Sequence, residues 1–309
     1  MRSRSSRPTN HAQTHRIIAS EGERATIPQA ELTTPRPATD ESYYVIWRSA
    51  PAIDLDESTL ATAASLLQLS APELGQAAIL GQPVPLARAN TFEQATTLGD
   101  ELRGLGIESL TVAARDLKAE MAPKKIRALE FSEDSVTGIT SGAPESTAWA
   151  EILLIVAGRL HEKSAVVEAR RRHGQMQPVD SRELFADDLV LDLYSGADET
   201  GWRIIATGFD FSCLGSEKKM TAVENFQALT KVLRERASRA EFDDSYVRVR
   251  QMLAAVWPLD QETRRGEWRR SGAGKFDLST VTTTDNATQF TRYSRLRRWL
   301  RARESTGNS

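Results

Sequence analysis

The sequence predicts an α+β protein in which a small antiparallel sheet with helices on one face is followed by a β-barrel-like domain closed by a C-terminal helix. Apolar residues switch along the chain between the two-residue spacing of strands and the three- and four-residue spacing of helices. A serine or threonine also stands three residues before a glutamate or glutamine at three predicted helix starts. Finally, 309 residues exceed what one hydrophobic core normally fills, so we expect two folded domains.

The chain divides into four predicted parts. Residues 1–41 are rich in Ser, Thr, Pro and Arg and poor in apolar side chains, so we predict a disordered tail. Residues 42–117 form the first domain and residues 123–258 the second, with a short charged stretch between them that a proline interrupts. Residues 259–309 form a basic C-terminal segment that contains an amphipathic helix.

The first domain is predicted to run strand, helix, helix, strand, helix, strand. Aromatic and β-branched residues at Tyr43–Trp47 indicate the first strand. The two prolines in residues 83–87 exclude a helix and indicate a short edge strand. The second and third helices begin at capping boxes formed by Ser70 with Glu73 and by Thr91 with Gln94.

This stretch resembles the C-terminal domain of ribosomal protein L7/L12 and the related adaptor fold of ClpS. The resemblance rests on residues 66–77, 83–85, 91–95 and 102–107 and covers under a quarter of the chain. It implies a docking module, because such domains recruit translation factors or protease substrates through their helices. The helix that presents lysines in L7/L12 corresponds here to residues 60–69, which contain no Lys or Arg. Ribosomal function is therefore not expected, and no binding residue is carried over.

The second domain is predicted to contain several short strands and then an amphipathic helix that starts at a capping box of Thr221 and Glu224. A further helix over residues 242–257 would pack onto the barrel, onto a partner helix or along a homodimer seam. The predicted strands are residues 126–131, 136–140, 149–160, 189–194 and 202–211.

Short antiparallel strands closed by one helix make residues 123–237 similar to a pleckstrin-homology-type barrel. This resemblance implies binding of lipid headgroups or peptides. Arg170, Arg171 and Arg172, followed by His173, are predicted to form a loop that could hold a phosphate or an anionic membrane surface. Each such cation contributes about 1 kcal/mol near a membrane of this kind. The alternative is a solvated loop whose positive electrostatic potential is weakened by nearby acidic residues.

The C-terminal segment is strongly basic, with 11 Lys or Arg against 5 Asp or Glu from Glu262 onward. Such a helix suits an anionic membrane, a nucleic acid or an acidic protein groove. The alternative is a helix docked on the body by its apolar face, with solvated arginines. The candidate binding residues, interleaved with Tyr293, Leu296, Trp299 and Leu300, are Arg292, Arg295, Arg297, Arg298, Arg301 and Arg303.

No motif for catalysis, for a cofactor or for a metal is found. The one cysteine, Cys213, lies in an apolar stretch, which predicts a buried inert thiol, with a reactive nucleophile as the alternative. The pairs Asp187–Asp188 and Asp243–Asp244 are interpreted as turn and helix-start residues, because adjacent side chains point apart.

These observations predict a non-catalytic, cytoplasmic protein-interaction or adaptor protein. Cysteine usage indicates a reducing compartment, and neither a secretory signal nor a run of about 18 apolar residues is found. We expect a protein partner and no small-molecule substrate. The alternative is a peripheral binder of anionic membranes or nucleic acid that uses the arginine loop and the C-terminal helix. A third hypothesis is an enzyme whose site is assembled from residues distant in sequence.

Overall fold

A computed structural model of the chain shows a mixed α/β fold. It describes residues 42–48, 56–172, 175–196, 199–272 and 275–307. The predicted disordered tail, residues 1–41, lies outside the described residues, as does His173.

The first sheet is antiparallel and has the predicted order of elements. Strand β1 lies in the centre, with β2 on one side and β3 on the other, so residues 83–87 do contribute to an edge strand. The elements are β1 (Tyr43–Trp47), α1 (Glu57–Leu67), α2 (Ala71–Leu80), β2 (Val84–Ala89), α3 (Phe92–Gly104) and β3 (Ser109–Ala113).

Two predicted capping boxes in this region have different outcomes. The box of Ser70 and Glu73 is confirmed, because each backbone N–H donates to the other residue's side chain. At α3, the N–H of Gln94 donates to Thr91 Oγ1 at 3.2 Å. The Gln94 side chain, however, accepts from the N–H of Asn90, also at 3.2 Å, so the reciprocal bond to Thr91 is replaced by one to its predecessor.

Both faces of the first sheet are covered. Successive side chains of a strand point to opposite faces. The Tyr43 ring contacts Phe92 of α3 at a centroid distance of 5.7 Å, and the Tyr44 ring contacts Trp257 at 5.4 Å. The prediction of helices on one face therefore left out the second face, which residues from the C-terminal half of the chain cover.

The remaining strands form one curled, half-barrel sheet and one small antiparallel sheet. The larger sheet has the order β12-β13-β8-β9-β10-β4, with β11 beside β8, and the smaller has the order β5-β6-β7. The strands are β4 (Lys124–Ile126), β5 (Ala128–Phe131), β6 (Ser135–Ile139), β7 (Glu145–Ala148), β8 (Ile152–Arg172), β9 (Gln175–Ser195), β10 (Trp202–Ile205), β11 (Glu241–Asp243), β12 (Asp260–Gly272) and β13 (Lys275–Asp285).

Several predicted strand boundaries are wrong. Strands β8 and β9 are 21 residues long each, far beyond the predicted residues 149–160 and 189–194. The added residues are largely polar, so they carry no alternating apolar signal. The predicted strand 202–211 ends at Ile205, because Gly208, with φ +80°, lies in the following turn, before a 3-10 helix at Phe211–Glu217.

Three more helices follow: α4 (Ala222–Arg236), α5 (Tyr246–Leu253) and α6 (Ala287–Gly307). The capping box of Thr221 and Glu224 at the start of α4 is confirmed. Helix α5 is shorter than the predicted residues 242–257, because Glu241–Asp243 pairs as β11 with β8.

Two hydrophobic cores lie on the two faces of β8 and β9. The first contains Leu154 and Val156 together with the first sheet, α5 and α6. The second contains Ile155 and Leu191 together with α4. The first core therefore spans both predicted domains, and the boundary between residues 42–117 and 123–258 does not separate two cores.

Candidate functional site

Helix α6 is docked on the body by its apolar face. Phe290, Tyr293 and Leu296 are each 0% exposed. Gly158 of β8 allows the close approach, because a Cβ there would lie 2.4 Å from Phe290 Cε2. The apolar stripe that would enter a membrane surface is therefore occupied by the protein itself.

Among the candidate arginines whose side chains the structure describes, Arg295 is the most deeply buried, with 2% of its surface exposed. Its guanidinium donates to the backbone carbonyls of Glu199 and Met121 and lies over the ring of Tyr194. Burial lowers the pKa of Arg295 below its usual value. The side chain joins α6 to two loops and is directed inward.

Arg297 also points inward, toward β11. Its guanidinium lies 2.6 Å from Glu241 and 2.9 Å from Asp243, and Tyr293 donates to the same Asp243 carboxylate at 2.7 Å. Burial acts to lower the pKa of Arg297, but attraction from these acids outweighs it and the net shift is upward. Arg301 lies 3.7 Å from Glu241 and adds to the same cluster.

A second buried ion pair lies beneath α6. Arg203 of β10 makes two 2.7 Å bonds to the fully buried carboxylate of Asp192 and donates to Thr291 of α6 at 3.0 Å. Burial opposes the charge on Arg203, yet the Asp192 carboxylate raises its pKa overall. Sequence reasoning missed this pair, although a lone acid within the apolar run 189–194 was a usable signal.

The remaining candidate arginines of α6 lie nearer the surface. Arg292 and Arg298 are partly buried, and Arg303 is exposed. Arg298 lies over the ring of Tyr194 and Arg303 over the ring of Trp299, at 5.5 and 4.2 Å from the centroids. Helix α6 thus divides its six candidate arginines between the body and the surface.

The candidate loop arginines do not lie in a loop. The backbone of Arg170, Arg171 and Arg172 is the end of strand β8, paired with residues 175–177 of β9. The loop prediction was wrong because the charged run gives no strand signal. The positions of these three side chains lie outside the described structure.

Two long hairpins form an exposed surface that sequence analysis did not predict. We call it the arm: residues 161–169 of β8, 180–188 of β9, 260–266 of β12 and 278–285 of β13, paired in the order β12-β13-β8-β9. None of these arm residues is buried. This part of the sheet therefore has no core of its own on either face.

Each face of the arm carries apolar side chains. Because paired residues share a face, Leu184, Val166 and Val281 lie on one side. Phe185 and Val167 lie on the other, and Leu184 and Phe185 are 58% and 71% exposed.

The free edges of the arm carry charges instead. Asp180, Arg182 and Glu183 lie on the outer strand β9, and an ion pair of Glu262 and Arg264, 2.8 Å apart, lies on β12. Charged edge strands resist pairing with other strands. The faces of the arm are therefore better suited to recognition than its edges.

The residues considered for chemistry are engaged in structural contacts. Cys213 is partly buried, and burial raises the pKa of its thiol to about 11, which favours the neutral form. Asp187 and Asp188 lie in strand β9 and not in the predicted turn; Asp187 pairs with His161, and Asp188 accepts from the N–H of Thr207 at 3.0 Å.

Asp243 and Asp244, predicted at a helix start, lie immediately before α5 and serve different partners. Asp243 accepts from the N–H of Ser245 and from Tyr293, whereas Asp244 lies 3.3 Å from Arg248. Within the described ranges, no three His, Cys, Asp or Glu side chains are grouped as a metal site would require. The helices described in the structure include none with the length and apolar character needed to cross a membrane.

Comparison of the chain with protein-family models, curated proteins and solved structures finds no match.

Proposed function

We propose that the chain is a non-catalytic protein-interaction or adaptor protein and that the arm is its docking surface. The observation that supports this most strongly is that the arm, which is four strands wide, contains no buried residue. Antiparallel sheets normally cover one face with a core, and strands need such a face for stability. A protein partner laid on the arm would supply that cover.

The exposed apolar residues give such docking a driving force. Leu184 and Phe185 are the most exposed large apolar residues of the described arm. Full burial of such a side chain contributes roughly 1.5–3 kcal/mol, so covering the exposed part of each contributes about 1–2 kcal/mol.

The proposal includes the two fold resemblances. The resemblance of residues 42–117 to the L7/L12 and ClpS fold is supported by the element order and by the central position of β1. The resemblance of residues 123–237 to a pleckstrin-homology-type barrel is supported by α4, which covers the second core. Both resemblances favour docking over catalysis, and we propose a cytoplasmic location.

A second proposal, binding of an anionic membrane or nucleic acid, is supported by the outer face of α6, where Arg292, Arg298 and Arg303 reach the surface. It is tested by flotation with phosphatidylserine vesicles and by filter binding of RNA. Binding that falls in the triple variant R292Q/R298Q/R303Q would support it. Absence of binding to both probes at low salt would contradict it.

The arm proposal is tested by affinity purification of the tagged full chain from its native cell, followed by mass spectrometry. The test variant is L184S/F185S, and the matched control is I79S/M220S, which removes two apolar side chains that are 86% and 100% exposed elsewhere. We expect a set of proteins retained by the wild type and by the control and lost by the arm variant. Identical recovery with all three proteins would contradict the proposal.

A further inference from the structure

A cleft of about 750 Å³ lies between α4 and the start of α5, with β8 and β9 as its floor. Its apolar lining comes from Ala157, Leu189, Phe226 and Val247. Val247 is 49% exposed, and Val223, one helical turn before Gln227 of the lining, is 50% exposed. The cleft is therefore open to solvent along an apolar strip.

The floor of the cleft includes a gap in the large sheet. On one edge of β8, strand β11 pairs as far as Val156 and strand β13 pairs from Glu162 onward. Among the described strands, none pairs with the intervening residues 157–161 on that edge. Asn286 partly fills the gap, since its side chain bonds Arg159 O at 3.0 Å and the N–H of His161 at 2.7 Å. Residues 157–159, which lie in this gap, line the cleft.

Both acidic residues that line the cleft, Glu235 and Asp244, lie near a cation. Glu235 lies 3.8 Å from Lys231, one turn away on α4. Asp244 lies 3.3 Å from Arg248, one turn away at α5. Neither carboxylate is therefore an uncompensated negative charge at the cleft.

Three cations line the cleft, namely Arg159, Lys231 and Arg234. Arg159 lies 3.9 Å from Asp187, about as far as Lys231 lies from Glu235. Arg234 lies over the ring of Phe242 at 4.3 Å, and no carboxylate within salt-bridge distance of it is found among the described residues. Because only two acids of the described chain, Glu235 and Asp244, line the cleft with these three cations, the lining has a net formal charge of +1.

We propose that this cleft binds an extended acidic peptide segment of a protein partner. The stretch of β8 that has no strand partner on one edge suits an extended backbone. The strip around Leu189 and Val247 suits apolar side chains, and the cations suit carboxylates spaced between them. This inference rests on the proposed protein-interaction function but uses none of the arm residues.

The test is fluorescence anisotropy of the full chain with a fluorescein-labelled peptide of alternating Glu and Leu. Peptides of alternating Lys and Leu and of alternating Gln and Leu are the controls for charge. We expect the Glu–Leu peptide to bind at least about tenfold more tightly than either control and to weaken as salt is raised.

Two variants assign the binding to the cleft. K231Q/R234Q removes two cations, and V247D places a carboxylate on the apolar strip at a half-exposed position. Each is expected to weaken binding at least about fivefold, whereas R103Q, which removes an exposed cation on α3, should leave binding unchanged.

Equal binding of the three peptides would overturn the inference. So would wild-type affinity in both cleft variants. Either result, together with arm-dependent capture of a partner, would leave the arm proposal standing. If partner capture did not depend on the arm but the Glu–Leu peptide still bound the cleft, the arm proposal would be contradicted and the cleft inference would stand.

Discussion

The contact between Gly158 and Phe290 allows the docking of α6 to be tested by a single methyl group. Gly158→Ala would place a Cβ 2.4 Å from Cε2 and 2.7 Å from Cδ2 of the buried ring. Carbon atoms pack at about 3.5–4.0 Å, so the ring or the helix must move by about 1 Å. Overpacking of this kind costs roughly 1–3 kcal/mol of the free energy of unfolding.

The assay is urea unfolding followed by circular dichroism, with the midpoint and the slope compared between variants. Gly75→Ala is the control, because its added methyl meets no atom within 4 Å and lies in a helix, where alanine is favoured by about 1 kcal/mol. Phe290→Leu tests the cause, since removal of the ring should reduce the cost of Gly158→Ala in a double-mutant cycle. A Gly158→Ala midpoint equal to or above that of the wild type would refute the packing of α6 described above.

Three further outcomes are expected. Arg297→Met leaves the buried Asp243 carboxylate without its cation and should lower the free energy of unfolding by about 3 kcal/mol in urea titrations. Arg303→Met, at an exposed site, should change it by less than about 0.5 kcal/mol. Equal effects of the two substitutions would contradict the inward placement of Arg297. The raised pKa of about 11 keeps the Cys213 thiol neutral at pH 8. Iodoacetamide at that pH should therefore alkylate Cys213 on the order of a hundredfold more slowly in the folded chain than in urea, as followed by mass spectrometry. Alkylation of the folded chain at the unfolded rate would contradict the burial of the thiol. Thr221→Ala removes a confirmed capping box and should cost about 1 kcal/mol in thermal or urea unfolding, and an unchanged midpoint would be inconsistent with the cap.

Local signals in the sequence predicted the first sheet and the helix starts well. Strand β1 has the predicted bounds, and Ser70 with Glu73 forms the predicted cap, because these features depend on residues within one turn or one strand. The second face of that sheet could not be predicted in the same way. Its cover, Trp257, lies more than 200 positions along the chain from Tyr44.

The partners of the arginines of α6 could not be predicted from the sequence. Their spacing correctly indicated an apolar stripe through Phe290, Tyr293 and Leu296, but it did not indicate partners for the charges. Arg297 meets acids on β11, and Arg295 meets two backbone carbonyls in distant loops. Such contacts depend on tertiary packing, so the spacing of residues along the sequence does not predict them.

The arm was missed for a related reason. Residues 161–169 and 180–188 are exposed on both faces, so they lack the alternation of apolar and polar residues by which a half-buried strand is recognised. The full length of these strands is shown only by the pairing of β8 with β9 and with β13.

Amide hydrogen exchange of the full chain tests most directly whether α6 is part of the core and the arm is the uncovered surface. We predict that amides of residues 290–300 exchange as slowly as those of residues 154–156, and that amides on the outer edge of β9 in residues 181–187 exchange much faster. Two results would contradict the account: amides of α6 that exchange as fast as those on the outer edge of β9, or amides of residues 181–187 that exchange as slowly as those of residues 154–156.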